Sequence, residues 1–144
     1  MMKAYDKALS LLAMREHTAK ELKDKLIRKG YSGDDITDAV ERLISENAIS
    51  EDRFAESYIR SRMRKNPEGK PVLIMRLRER GCPDSASRKA VDSYWEDLRF
   101  MPYLASAYDV LSSRKGQEYA IASLMRKGFS LSEIRAAAEY SDDE

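Results

Sequence analysis

Apolar residues recur three and four positions apart along almost the whole chain, the spacing that lines one face of an α-helix. Ala4, Ala8, Leu11 and Leu12 make the first run, Leu22, Leu26 and Ile27 the second, and Ile36, Val40, Leu43 and Ile44 the third. Phe54, Tyr58, Ile59 and Met63 follow, then Leu73, Ile74 and Leu77, then Val91, Tyr94, Trp95 and Leu98. Leu104, Tyr108 and Leu111, then Ile121, Leu124 and Met125, then Leu131, Ile134 and Ala138 bring the prediction to nine short amphipathic helices. Strand-like alternation of β-branched residues is nearly absent, so the pattern predicts an all-α fold.

The punctuation between the runs agrees. Thr18-Ala-Lys-Glu21 and Ser130-Leu-Ser-Glu133 read as capping boxes, with hydroxyl and carboxylate satisfying the first free amides of a helix. Ser32 and Ser50 are placed as N-caps, and Pro71 and Pro102 fall where a first helical turn tolerates a missing N–H. Gly30, Gly81, Gly116 and Gly128 stand where helices should stop.

The chain also repeats. Lys25-Leu-Ile-Arg-Lys-Gly30, Arg76-Leu-Arg-Glu-Arg-Gly81 and Ser123-Leu-Met-Arg-Lys-Gly128 share a Leu four residues before the Gly and a basic residue just before it. Val40, Val91 and Ala138 each follow their Gly by ten. The glycines are 51 and 47 residues apart, a period that marks a modular helical array. The expected organisation is a tandem array of three three-helix repeats, 1–49, 50–100 and 101–144, elongated or curved. Units this small bury little surface alone, so neighbours must complete each core.

Composition narrows the class. The 144 residues are 42% apolar and 35% charged with a net charge of +1, the balance of a soluble, charge-laced helical protein. Cys82 is the only cysteine, which rules out an internal disulfide and favours a reducing compartment. The apolar run from Leu9 to Met14 is broken by Ser10 and closed by Arg15 and Glu16, unlike a signal peptide. No stretch approaches the ~20 apolar residues of a membrane span. A cytoplasmic monomer without a membrane partner is expected.

Catalytic chemistry finds no support. His17 is the only histidine and is read as structural or surface. Cys82, beside Pro83, is read as a small packing residue, since a nucleophile needs an activating base. Carboxylates alternate with Lys and Arg at i,i+4, as in Glu21–Lys25 and Asp24–Arg28, the pattern of a solvated helix face. No glycine lies in a phosphate-cradling motif. No catalytic residue, metal ligand or cofactor is assigned, and the chain is read as a binding protein.

Charge is uneven in one place. Arg53, Arg60, Arg62, Arg64, Lys65, Lys70, Arg76, Arg78 and Arg80 face only Glu56, Glu68 and Glu79 between residues 53 and 80, a local net charge of +6. Such a stripe on a near-neutral chain fits a polyanion, although a solvated face explains it equally by composition. These nine basic residues are the candidate binding set. Helix-turn-helix reading of duplex DNA is disfavoured. The third helix of the first unit carries Asp34, Asp35, Asp38 and Glu41 against Arg42, and that of the last carries Glu133 and Glu139 against Arg135.

Arg15-Glu-His-Thr18 with Glu21-Leu22, Lys25-Leu26 and Lys29-Gly30 resembles the opening of the RecX regulators. Ile49, Asp52-Arg53-Phe54-Ala55, Tyr58 and Arg62 resemble that family's most specific segment. With the three-unit repeat and the length, the resemblance spans nearly the whole chain. Asn47 stands where the family has Gly, a substitution the left-handed conformation tolerates. Asn66-Pro-Glu-Gly-Lys-Pro71 replaces a more Gly-rich basic connection, and Cys82-Pro83 and Ser87 depart from usual apolar positions. The resemblance implies a tandem of three-helix repeats that lies in the groove of a RecA–DNA filament and modulates, most often inhibits, the recombinase. It implies RecA filaments as partners in repair and recombination; the basic stripe, with no plausible base-reading helix, adds weak binding of single-stranded DNA without sequence preference. Phe54 and Tyr58 share a helix face and are read as core, whereas Arg53 and Arg62 are the stronger binding candidates. The competing readings are a helical adaptor that binds protein alone and, third, a hydrolase or nuclease.

Overall fold

The computed structural model describes residues 2–142. Nine α-helices follow one another among the described residues: α1 (Ala4–Met14), α2 (Ala19–Arg28), α3 (Gly33–Ser45), α4 (Glu51–Lys65), α5 (Lys70–Glu79), α6 (Asp84–Glu96), α7 (Met101–Lys115), α8 (Gln117–Arg126) and α9 (Leu131–Asp142). The repeat argument holds in three dimensions. Helices α1–α3 pack on one another, as do α4–α6 and α7–α9. Leu26, Leu77 and Leu124, the leucines before the three equivalent glycines, are all fully buried. Each such burial stabilises by roughly 1.5–3 kcal/mol.

The ends of the helices obey the local signals. Thr18 and Glu21 complete a reciprocal capping box on α2, and Ser32 and Ser50 accept from the third amides of α3 and α4. Ser130 and Glu133 form the second box, with both the Glu133 N–H to Ser130 Oγ and the Ser130 N–H to Glu133 Oε1 bonds made. Gly30, Gly81 and Gly128 take φ of +92°, +100° and +100°, the left-handed conformation that lets the backbone turn back. Asn47 and Leu98, 51 residues apart, occupy the same left-handed position after α3 and α6, with φ of 57° and 56°. Leu98 therefore ends its helix and points to solvent instead of extending the apolar run of α6. Ile27, Ile44 and Met125, also counted in apolar runs, are exposed as well.

The apolar interior falls into two clusters. One, built on Ala8, Leu22, Leu26, Ile36, Val40 and Leu43, belongs to α1–α3. The other runs continuously through α4–α9. Trp95 of α6 joins its halves: its ring stacks on Phe100 at 4.6 Å and on Phe129 at 6.4 Å, and its indole N–H donates to Glu133 of α9. The junction between α1–α3 and the remainder is polar. Thr18 Oγ1 donates to the Arg80 carbonyl at 2.6 Å, and Lys20 Nζ donates to the Glu79 carbonyl at 3.2 Å, so the start of α2 meets the end of α5. The start of α5 meets the end of α8 in the same way, through Gly69 N–H to the Lys127 carbonyl at 2.9 Å. The accessible surface of 8637 Å² exceeds the roughly 7,500 Å² of a compact chain of this mass, as stacking units in a row requires.

Candidate nucleic-acid interface

Helix α4 positions most of the site. Ser50 caps it, Glu51 and Asp52 sit in its first turn, and Arg62, Arg64 and Lys65 in its last, each sign matched to the helix dipole. Phe54, Ala55, Ile59 and Met63 bury one face. That packing turns Arg60, Arg64 and Lys65 outward, where they are exposed and form no ion pair with a described residue.

The outer face of α4 is the floor of an open groove of about 920 Å³. Arg15 and Glu16, from the connection between α1 and α2, close one side, and Arg80 comes from the end of α5. Tyr94, Arg99, Pro102 and Tyr103, around the passage from α6 to α7, close the other. Seven cations line the groove against a single carboxylate, Glu16, and Arg53 Nε occupies that carboxylate at 3.0 Å. A concave surface with one sign of charge concentrates a polyanion.

Of the nine basic residues singled out by charge, Arg60, Arg62, Arg64, Lys65 and Arg80 line the groove. Arg80 Nη1 lies 3.4 Å from Glu21 Oε2, and its guanidinium lies 5.1 Å from the centre of the Tyr58 ring. Arg62 reaches the groove while its Nε donates to Glu68 Oε1 at 2.6 Å. The other four lie outside. Arg53 is a brace: besides holding Glu16 it donates to the carbonyls of Asn47 and Ala48. Arg76 donates to Glu68, Lys70 pairs with Asp92 at 2.8 Å, and Arg78 approaches Asp84 at 3.5 Å.

Glu68 does more than dilute positive charge. It is buried between Arg62 and Arg76 and fixes the α4–α5 connection. Burial alone would raise its pKa, but the hydrogen bonds and charges of the two arginines hold its carboxyl below the usual range. His17 is likewise interior. Its Nδ1–H donates to the Arg15 carbonyl at 2.9 Å and its Nε2 accepts from Lys25 Nζ at 2.8 Å, because an ammonium can only donate. Burial pushes the imidazole below its ordinary pKa, partly offset by the Arg15 carbonyl and reinforced by the charges of Arg15 and Lys25. The histidine thus anchors the connection that carries Arg15 and Glu16 into the groove. Cys82 is buried with its thiol 3.9 Å from the Glu51 carbonyl, and burial raises its pKa, the opposite of an activated nucleophile.

Sequence reasoning missed Arg15, Arg99, Tyr94 and Tyr103. Arg15 and Arg99 lie in charge-balanced stretches 84 residues apart, and only packing against α4 brings them to one groove. Tyr58 packs against the core as expected, yet it also lines the groove. It stacks on Phe54 with 5.9 Å between ring centres, but is only half-buried and faces the groove.

Residues 4–43 match the first three-helix domain of RecX, and residues 50–91 match the second. The chain belongs to the RecX family. The regulatory protein RecX of Halorhodospira halophila is 35% identical, over 96% of this chain and 88% of its own length. That of Bacillus subtilis is 30% identical over 99% of this chain, which spans only 57% of the longer relative. The crystal structure of RecX from Lactobacillus salivarius superposes with a TM-score of 0.78 at 28% identity, covering 99% of this chain and 96% of that one. The two RecX-like segments read from the sequence, Arg15–Gly30 and Ile49–Arg62, fall almost wholly within the matched domains. The chain is therefore a RecX-type regulatory protein with the helical repeat fold. No described helix is long and apolar enough to cross a membrane.

Proposed function

We propose that this RecX-family chain binds RecA recombinase–DNA filaments through the groove on α4 and lowers recombinase activity without chemistry of its own. The observation that carries the reading is the open groove lined by seven cations and one already neutralised carboxylate. A filament bearing DNA phosphates and acidic side chains is a complementary surface, and rim charges act largely through the rate of association. Free single-stranded DNA is a weaker ligand held without base reading. Its affinity should fall with salt at a log–log slope of about −0.7 for each phosphate neutralised. In this proposal the chain acts as a cytoplasmic monomer. Its units divide near Ser50 and Met101, so that the groove draws on all three.

The test is a combined reversal of Arg60, Arg64 and Lys65 to Glu, followed by RecA-catalysed ATP hydrolysis and filament length on single-stranded DNA. The variant should lose modulation while keeping its helicity and melting temperature, since all three are exposed and none forms an ion pair with a described residue. Reversal of Lys23 and Lys89, exposed and outside the groove, is the matched control. If the control abolishes modulation and the triple variant retains it, the interface lies elsewhere.

A further inference from the structure

Charge does not account for the aromatic wall of the groove. Of its tyrosines, Tyr94 is buried with the Arg99 guanidinium 4.7 Å above its ring. Tyr58 is flanked by Phe54 and Arg80. Tyr103, in the first turn of α7, differs: it is 37% exposed, lines the groove, and carries no described aromatic ring or cation against its own ring. Helix α7 does not need it as a core residue, because Leu104, Ala105 and Tyr108 bury that helix. A large, partly exposed ring held at the edge of a cation-lined groove is the chemistry that stacks an unpaired base. A duplex offers its phosphates but keeps its base faces stacked on one another. An unpaired strand offers both.

We infer that Tyr103 is a specificity-determining residue of the groove: it stacks on a base of an unpaired polynucleotide strand, while Arg60, Arg64 and Lys65 hold the flanking phosphates. This deepens the reading proposed above by naming the strand state that the same site selects. Two contributions are thus separable. The cations attract any polynucleotide and set the salt dependence. The ring adds a salt-independent preference for single strands.

The experiment uses the full chain, a fluorescent oligothymidylate and a hairpin duplex of equal phosphate number, with anisotropy titrations at several salt concentrations. Tyr103→Ala should weaken oligothymidylate binding by ~5–150-fold, the range of one lost stack. Duplex affinity and the salt slope on both ligands should stay unchanged. Tyr103→Phe should keep the wild-type preference, since the ring and not the hydroxyl is used. Arg60→Glu with Arg64→Glu should instead weaken both ligands and flatten both slopes. Circular dichroism melting of each variant checks the fold. Equal loss on both ligands, no loss on either, or no oligothymidylate binding by the wild type would overturn the inference. The RecA ATPase assay separates it from the wider proposal. If Tyr103→Ala abolishes filament modulation but leaves oligothymidylate binding intact, the ring meets protein, and the inference fails while the filament reading stands. If single-strand selectivity behaves as expected but the triple charge reversal leaves modulation intact, the filament reading fails and the inference stands.

Discussion

The Gly69 N–H donates to the Lys127 carbonyl at 2.9 Å, and the Cα hydrogens of Gly69 face the backbone of Gly128. Fifty-one residues earlier in the repeat, Thr18 occupies the position of Gly69 and its hydroxyl donates to the Arg80 carbonyl at 2.6 Å. One device is thus used twice. A carbonyl left free at the end of one second helix is satisfied at the start of the preceding unit's second helix, so α8, α5 and α2 meet end to end. The two versions differ in clearance, since the Thr18 junction accommodates a side chain and the Gly69 junction does not.

That difference is testable at two glycines. A Cβ on Gly69 would overlap the Gly128 carbonyl oxygen, a contact that backbone must move to relieve. Gly69→Ala should destabilise by ~1–3 kcal/mol, as overpacking does. A Cβ on Gly33, at the start of α3, meets nothing within 4 Å. Gly33→Ala should stabilise by ~0.4–1 kcal/mol by restricting the unfolded chain. Urea denaturation of both variants checks the opposite signs.

Removing the Glu68 charge should loosen the α4–α5 connection. Charge-assisted hydrogen bonds of this kind contribute ~1.5–3 kcal/mol, and the half-buried arginines recover part of that by hydration. Glu68→Gln should therefore cost about 1–3 kcal/mol at pH 7. The folded carboxyl titrates below its unfolded value of about 4.3, so its contribution is complete above that pH and is lost as pH falls through the lower folded value. The gap between wild type and variant in guanidinium denaturation should be widest at pH 7 and narrow in acid.

His17 should make stability fall in a higher pH window. Its folded pKa is depressed, chiefly by burial, so on acidification the unfolded chain takes up the proton first, near pH 6.5. The contribution of the neutral ring is complete above that pH and declines below it. Denaturation measured between pH 7.5 and pH 5.5 should show this slope in the wild type and a flatter one in His17→Gln. Equal slopes would mean that the ring protonates in the folded state without penalty.

Leu98 should be improvable. A non-glycine residue in the left-handed region costs ~1–2 kcal/mol, and Asn, as at the equivalent position 47, relieves part of that. Leu98 is 60% exposed and gives up little burial. Leu98→Asn should raise the melting temperature, with a gain of ~0.5–1 kcal/mol. A lowered melting temperature would mean that the leucine packs more than its exposure suggests.

The helices, their caps and the equivalence of Leu26, Leu77 and Leu124 were legible in the sequence because they depend on local rules. Periodicity chooses the buried face, a hydroxyl or a left-handed glycine ends the helix, and a repeated unit repeats its core. The basic character of the region around α4 was legible for the same reason, since charge sums along the chain. Which cations are free was not legible. Arg53 and Arg62 read as the stronger binding candidates, and Arg76 as one more free cation, until folding sets Glu16 and Glu68 against all three. Nor could spacing show that Arg15, Arg99 and Tyr103 share a groove with α4, or that Tyr58 keeps one side open to it. Those facts are set by how units dock, through contacts such as Thr18 with Arg80 and Trp95 with Phe129 that join residues far apart in the chain. Local sequence determines each helix and its inward face. The meeting of outward faces is decided only when the units pack, because that depends on the relative placement of bodies whose own sequences carry no record of it.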